Sequence, residues 1–315
     1  MRFIQPLAAA MLCSAISVSA SADIRHYSAN LANANWQMTS ATPLACELVH
    51  EIPRFGQVSF QSEASKQNNL IMLMEFKQLP NHYAMATVKS VAPSWWPGQN
   101  SYQLSSMPLY KQFPGQLEQQ QAWTLLSELE KGRQPTFFFQ DWYNPRDQIA
   151  VGLAAAKFRP RYDEFLDCVA NLLPFSFDDI SFTVLNFNES DGELTLEAQR
   201  KLNQIGQYLA HDNQLELVLV DAYTDAYGAR EPNQTLTEAR AEAVKRFFTE
   251  RGIAADRITT VGHGERRHVD GNDDALSRAQ NRRVVVQLSK PHFAAGFRMT
   301  TATSSEAAAA NTEAE

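Results

Sequence analysis

Apolar positions in the second half of the chain recur with two periods. In "LTLEAQRKLNQIGQYLA", Ala198, Leu202, Ile205 and Leu209 fall three or four apart, which predicts a helix with one buried face. A second helix is predicted over "TLTEARAEAVKRFFTERG": Leu236, Arg240 and Val244 share a face that Phe247 and Phe248 continue, and Gly252 stands at the stop position. Between and around these, "ISFTVLNF", "LELVLVDAY", "RITTVGHG" and "RRVVVQL" read as strands, with Leu215, Leu217 and Leu219 alternating in the second. Strands and helices in this order predict an αβ sandwich, a sheet covered by helices on one side.

The first half has a different texture. Short apolar runs such as "LIMLMEF" and "QIAVGLAAAKF" are cut by turn signals at Pro53, "LPN", "WWPG" and "FPG", which suits strands better than long helices. "EQQQAWTLLSELEKG" is the exception, since Trp123, Leu126 and Leu129 recur at helical spacing before Gly132. All five Trp residues precede Cys168, and composition changes between Asn171 and Asp178. The fold class expected is therefore α+β: a strand-rich domain over residues 23–173, then the αβ sandwich over 178–290. A membrane β-barrel is the rival for the first half, but the irregular turns, the helix and the Cys pair do not fit repeated ten-residue alternating segments. Beyond Lys290, residues 291–315 include "TTATSSEAAAANTEAE", which has little to bury and reads as a disordered tail.

Composition narrows the setting. The 315 residues are enough for two domains, and a formal net charge of -7 argues against a grip on nucleic acid, which needs clustered Lys and Arg. Residues 1–22 combine Arg2, an apolar run through Val18 and the small residues Ala20, Ser21 and Ala22, the pattern of a secretory signal peptide. A signal anchor is the other reading of that run, which is short and interrupted for a membrane span. Leu12 before Cys13 does not suit a lipoprotein signal. No other run is long enough to span a membrane, so no membrane span is expected in the mature chain. Two cysteines remain, Cys46 and Cys168, and in an exported chain they most simply form one disulfide, with two buried thiols as the alternative. The bond would close a loop of about 122 residues, for which chain entropy gives roughly 5 kcal/mol as an upper guide.

One charge is out of place. Arg240 sits on the inward stripe of the second helix, where a guanidinium cannot shed its charge and needs a carboxylate from protein or ligand. Asp225 follows the "LELVLVDAY" strand, at the sheet end where the helix begins. The residues leave two readings open: a structural ion pair, or a site whose Arg and Asp together hold the carboxylate and ammonium of one amino-acid head group.

"TDAYGAREPNQTLTEARAEAVKRFFTERGIAADRITTVGHGE" followed by "SRAQNRRVVV" resembles the OmpA-like peptidoglycan-binding family over roughly Ile180 to Leu288. The resemblance implies that Asp225 and Arg240 contact the diaminopimelate of the peptidoglycan stem peptide, with Thr224 in the same loop and Asn188 as a further contact. It also implies that Asn233, Asn281 and Arg282 shape the pocket. Ala222-Tyr223 stands where that family usually has Gly-His. The first half, including "DIRHYSANLANANWQMTSATPLACELVHEIPRFG" and "YKQFPGQLEQQQAWTLLSELEKGRQPTFFFQDWYNPRD", resembles the MotY family of sodium-driven polar flagellar motors. That resemblance implies a periplasmic protein at the flagellar basal body, a T ring formed with MotX, and help in installing the sodium-driven stator complex. The exposed members of the aromatics in "TFFFQDWYNP" are candidates for the basal-body contact, an ordinary core being the alternative.

Enzymatic readings find little support. His263 and His268 in "GHGERRH" lack a compact third metal ligand, and "GHGE" opens no phosphate loop. His263 is expected in a surface turn, and Asp179, Glu189 and Asp191 as solvated charges. No catalytic residue, metal or cofactor is expected, which ranks a motor anchor ahead of a generic OmpA-like wall tether and a wall-modifying enzyme.

Overall fold

The computed structural model describes residues 23–65, 70–76, 84–93, 95–96, 98–188, 193–212, 217–225 and 230–290. The expected signal peptide and tail, Cys13, Glu189, Asp191 and Leu215 lie outside the described residues. The chain divides into two compact units, one ending at Ser176 and one beginning at Phe177.

The first unit holds β1 (Ile24–Ser28), β2 (Trp36–Ala41), β3 (Ala45–Ile52), β4 (Gly56–Glu63), β5 (Ile71–Phe76), β6 (Ala84–Val91), β7 (Tyr102–Leu109), β8 (Gly115–Glu118), α1 (Gln119–Glu130), β9 (Gln134–Gln140), β10 (Gln148–Gly152) and α2 (Phe158–Ala170). The strands form two five-stranded sheets, ordered β1-β10-β9-β6-β7 and β2-β3-β4-β5-β8. Alternation decides what faces inward: along β3, Cys46, Leu48, His50 and Ile52 are buried and their neighbours are not. Both sheets feed one core, in which Leu48, Phe60 and Met74 meet Val88, Phe137 and Val151, with Leu125 of α1 and Phe165 of α2. Cys46 and Cys168 are joined, so the disulfide ties β3 to α2 across 122 positions of sequence. The aromatics of "TFFFQDWYNP" divide: Phe137 and Phe139 are core, while Tyr143 is exposed. The candidate anchor is thus corrected for those two phenylalanines, because alternation along β9 turns Phe137 and Phe139 into the core and leaves Phe138 on the other face.

His50 and Glu128 are among the polar residues buried in this unit. His50 stacks on Trp36 with ring centroids 4.4 Å apart. Its Nδ1–H donates to Asn35 O at 2.8 Å and its Nε2 accepts from the Ala154 N–H at 3.3 Å. Burial lowers the His50 pKa, against smaller upward effects of the Asn35 bond and the Glu51 charge. Glu128 of α1 accepts from Ser90, Tyr102 and Lys131. Burial alone would raise its pKa; those bonds and the Lys131 charge hold it below its ordinary value.

The second unit holds α3 (Phe177–Ile180), β11 (Phe182–Asn186), α4 (Leu196–His211), β12 (Leu217–Tyr223), α5 (Arg230–Thr249), β13 (Ile258–Gly262), α6 (Ala275–Asn281) and β14 (Arg283–Ser289). Its sheet runs β11-β14-β12-β13, with β12 and β13 parallel and the other pairs antiparallel. On α4 the buried positions include Ala198, Leu202, Ile205 and Leu209, as the pattern predicts. Thr195 caps that helix by accepting from the Ala198 N–H.

Two details of this unit are corrected. The buried stripe of α5 is Asn233, Thr237, Arg240, Ala241, Val244 and Phe248, and Leu236 is exposed. The helix starts five residues before Thr235, with Pro232 in its first turn, so polar residues of that turn occupy the inward phase. On β12 the fully buried residues are Val218, Val220 and Ala222, whereas Leu219 is half-buried. Leu219 alternates with the buried row of Val218, Val220 and Ala222 and so lies on the opposite sheet face.

Candidate functional site

Period-two alternation builds the site at one end of this sheet. The last paired row across β11, β14 and β12 is Asn186, Arg283 and Tyr223. Each strand then places its neighbouring residue on the helix-covered side: Phe187, Arg282 and Thr224. Backbone bonds carry the sheet into this extra row, with Phe187 N–H donating to Arg282 O at 3.3 Å and Thr224 N–H to Gly264 O at 3.0 Å. Gly262 ends β13 against α5, where a Cβ would come within 2.7 Å of the Glu238 backbone nitrogen, so a side chain there would push the helix away.

Asp225, Arg240 and Arg282 are buried together at this end, at 7%, 8% and 8% exposure. Arg282 Nη1 donates to Asp225 Oδ2 at 2.8 Å. The Arg240 guanidinium lies over the Phe187 ring, 4.3 Å from its centroid. Arg240 Nε and Nη1 are buried without a hydrogen-bond partner among the described residues. Burial lowers the Arg240 pKa, the Arg282 charge lowers it further, and the Asp225 carboxylate opposes both. Arg240 and Arg282 thus lie close enough to Asp225 and to each other for their charges to act on one another.

The other sequence-derived candidates surround this cluster in different ways. Thr224 is 2% exposed, directly before Asp225. Asn233, in the first turns of α5, donates to Glu265 Oε2 at 3.3 Å. Asn281 clasps the loop before α6: Oδ1 accepts from the Val269 and Asp270 N–H groups, and Nδ2 donates to Asp270 O and Gly271 O. Asn188 is exposed, follows Phe187, and donates its N–H to Glu193 O at 2.7 Å. Phe187 was not singled out in the sequence; its signal is an aromatic at the end of β11, in the row that meets α5.

His263 opens a turn, its carbonyl accepting from the Arg266 N–H at 3.3 Å, and its ring is half-buried. It stacks on Tyr223 with centroids 4.6 Å apart and bonds Asp221 Oδ1 through Nε2 at 2.8 Å. His268 Nδ1 meets Asn272 Nδ2 at 3.0 Å instead. Among the described residues, no three metal-ligating side chains gather, and no helix is long and apolar enough to cross a membrane.

Comparison with known proteins divides the chain at a similar place. Residues 27–174 match the MotY N-terminal domain family, and residues 186–282 match the OmpA family. The sodium-type flagellar protein MotY of Vibrio parahaemolyticus is 39% identical over 266 residues, covering 84% of this chain and 91% of that one. The peptidoglycan-associated lipoprotein of Pseudomonas putida is 36% identical over 105 residues, covering 33% of this chain and 61% of its own. Among solved structures, the peptidoglycan-associated lipoprotein from Burkholderia pseudomallei is 30% identical, covering 34% of this chain and 89% of that chain, with a TM-score of 0.31.

Proposed function

The chain belongs to the MotY family of sodium-type flagellar proteins, and from that premise we propose that it is a periplasmic, non-enzymatic anchor that fixes the flagellar motor to peptidoglycan. The observation that supports wall binding is the buried Asp225 near two arginines, of which Arg240 has guanidinium donors without partners among the described residues. A diaminopimelate stem peptide presents one free carboxylate and one free ammonium on the same carbon, as one amino-acid head group. The carboxylate supplies acceptors to Arg240, and the ammonium approaches Asp225, whose orientation Arg282 fixes. On this reading Thr224 and Asn188 add contacts beside Asp225 and Arg240, and Asn233, Asn281 and Arg282 shape the site. The first unit supplies the flagellar end: it docks on the basal body, forms the T ring with MotX, and through that ring helps to install the sodium-driven stator complex.

Two measurements test this reading. The chain from Asp23 onward should sediment with purified peptidoglycan, and Asp225→Ala or Arg240→Ala should each weaken sedimentation about tenfold or more, since each leaves a buried charge unmatched. Wild-type sedimentation by both variants, with circular dichroism showing them folded, rejects the site. Isolation of hook-basal bodies should bring the chain and MotX down together; its absence from them rejects the flagellar part.

A further inference from the structure

The wall-binding cluster has a counterpart directly behind it. On the sheet face away from α5, the Arg283 guanidinium lies over the Tyr223 ring at 4.1 Å from its centroid, and His263 stacks on the same tyrosine at an interplanar angle of 9°. The layers come from three places: Arg283 opens β14, Tyr223 closes β12, and His263 follows β13. Both ends of the stack are fixed. Arg283 Nη2 donates to Arg267 O at 3.1 Å, and His263 bonds Asp221. Arg283 is 6% exposed and Tyr223 7%, although they border an open cavity of about 500 Å3 that also contacts Phe182 and Val285.

Each member of the stack is the immediate chain neighbour of a group at the wall-binding end. Arg283 follows Arg282, Tyr223 precedes Thr224 and Asp225, and His263 precedes Gly264, whose carbonyl accepts the Thr224 N–H. We infer that Arg283, Tyr223 and His263 are positioning residues: their stack on one face of the sheet fixes the strand ends that hold Asp225 against Arg282 on the other. A shift of Tyr223 turns the strand about its own axis and swings the next two residues with it, because successive side chains point to opposite faces. Planar groups in contact resist that rotation; an alanine does not. Arg283 Nη1 lacks a hydrogen-bond partner among the described residues, so the Arg267 bond and the contact with Tyr223 are the described interactions that hold this guanidinium.

The test separates local order from wall affinity, which is expected to change only on the wall-binding reading proposed above. In the chain from Asp23 onward, amide hydrogen exchange at Thr224 reports the strand end without any ligand. Tyr223→Ala should speed that exchange by about tenfold, and Tyr223→Phe, which keeps the ring, should leave it within about twofold. Sedimentation with purified peptidoglycan should weaken about fivefold in Tyr223→Ala and be retained in Tyr223→Phe. His263→Ala, which removes one outer layer, is the milder variant should Tyr223→Ala unfold, and should speed Thr224 exchange about threefold. Unchanged Thr224 exchange in a folded Tyr223→Ala or His263→Ala chain overturns the inference, as does a Tyr223→Phe chain impaired as much as Tyr223→Ala. Failure of the wild type to bind peptidoglycan removes the wall-binding reading and leaves the exchange rates to decide the positioning.

Discussion

Arg282, not Arg240, is hydrogen-bonded to Asp225, with Nη1 and Oδ2 2.8 Å apart. Of the two readings that the sequence leaves open for Asp225 and Arg240, a direct ion pair is therefore not the arrangement seen. Arg240 rests on Phe187 beside the pair, its charge opposed by Arg282 and supported by Asp225. The division leaves one arginine to fix the carboxylate and one with donors to offer.

Removal of the fixing arginine has a definite consequence. In Arg282→Gln, Asp225 loses its 2.8 Å partner and is drawn toward Arg240, the nearby cation. Peptidoglycan affinity should fall by about tenfold, and the second unit should lose about 1–3 kcal/mol of stability. Calorimetric titration with soluble muropeptides, alongside urea unfolding, checks both. Retained affinity would show that Asp225 is held in place without Arg282.

The disulfide acts on the other unit. Cys46 is buried in β3 and Cys168 lies on α2 at the end of that unit, so the bond restrains nearly the whole first unit when unfolded. Cys46→Ala with Cys168→Ala should cost that unit about 2–5 kcal/mol. Sedimentation with peptidoglycan should be unaffected, because Asp225, Arg240 and Arg282, the proposed wall contact, lie in the second unit. A common loss of both properties would show that the units do not behave independently.

Much of this arrangement is legible in the sequence, and the exceptions have physical causes. The α4 stripe can be read because four apolar residues keep helical spacing and Thr195 caps the start. The inward face of α5 is misread at Leu236 because its first turns turn Asn233 and Thr237 inward, and polar residues carry no hydrophobic period. Helix α6 is seven residues long and too short for a period, although Asp274 accepting from the Ser277 N–H gives it a cap signal. Asp225 and Arg240 are recognisable from a resemblance, but the Asp225–Arg282 bond spans 57 positions, and no local rule says which arginine reaches the carboxylate.

Mild acid should weaken the first unit through His50. Its folded pKa is lowered by burial, so between about pH 6.5 and that lower value the unfolded chain takes up a proton that the folded chain refuses. Stability is therefore full above about pH 6.5 and falls as pH decreases, by at most about 1.4 kcal/mol per pH unit for this one group. Urea unfolding of the first unit at pH 7.5 and 5.5 measures the loss. His50→Gln should be less stable at pH 7.5, because the imidazole bonds to Asn35 and Ala154 are gone, yet should show a smaller loss between the two pH values. An equal loss in both proteins assigns the acid sensitivity to other groups.

Division of labour between the units gives the last prediction. The first unit completes its own core, contains both halves of its disulfide and ends at Ser176, so a chain truncated there keeps everything that folds it. With Phe137 and Phe139 in that core, aromatic contact with a partner falls to the exposed residues. Trp95 and Trp96 are 68% and 45% exposed in the loop between β6 and β7; Tyr110 and Phe113 follow β7, and Tyr143 follows β9. Exposed Trp and Tyr are the residue types on which protein interfaces concentrate their binding energy. The truncated chain should still co-purify with hook-basal bodies and reach the flagellar base, while motility in a strain carrying it stays weak for lack of an attachment to the wall. Trp95→Ala with Trp96→Ala in the full chain should reduce basal-body recovery about tenfold and leave peptidoglycan sedimentation intact. If the second unit alone localises to the flagellar base while the truncated first unit is diffuse, the two halves have the opposite roles.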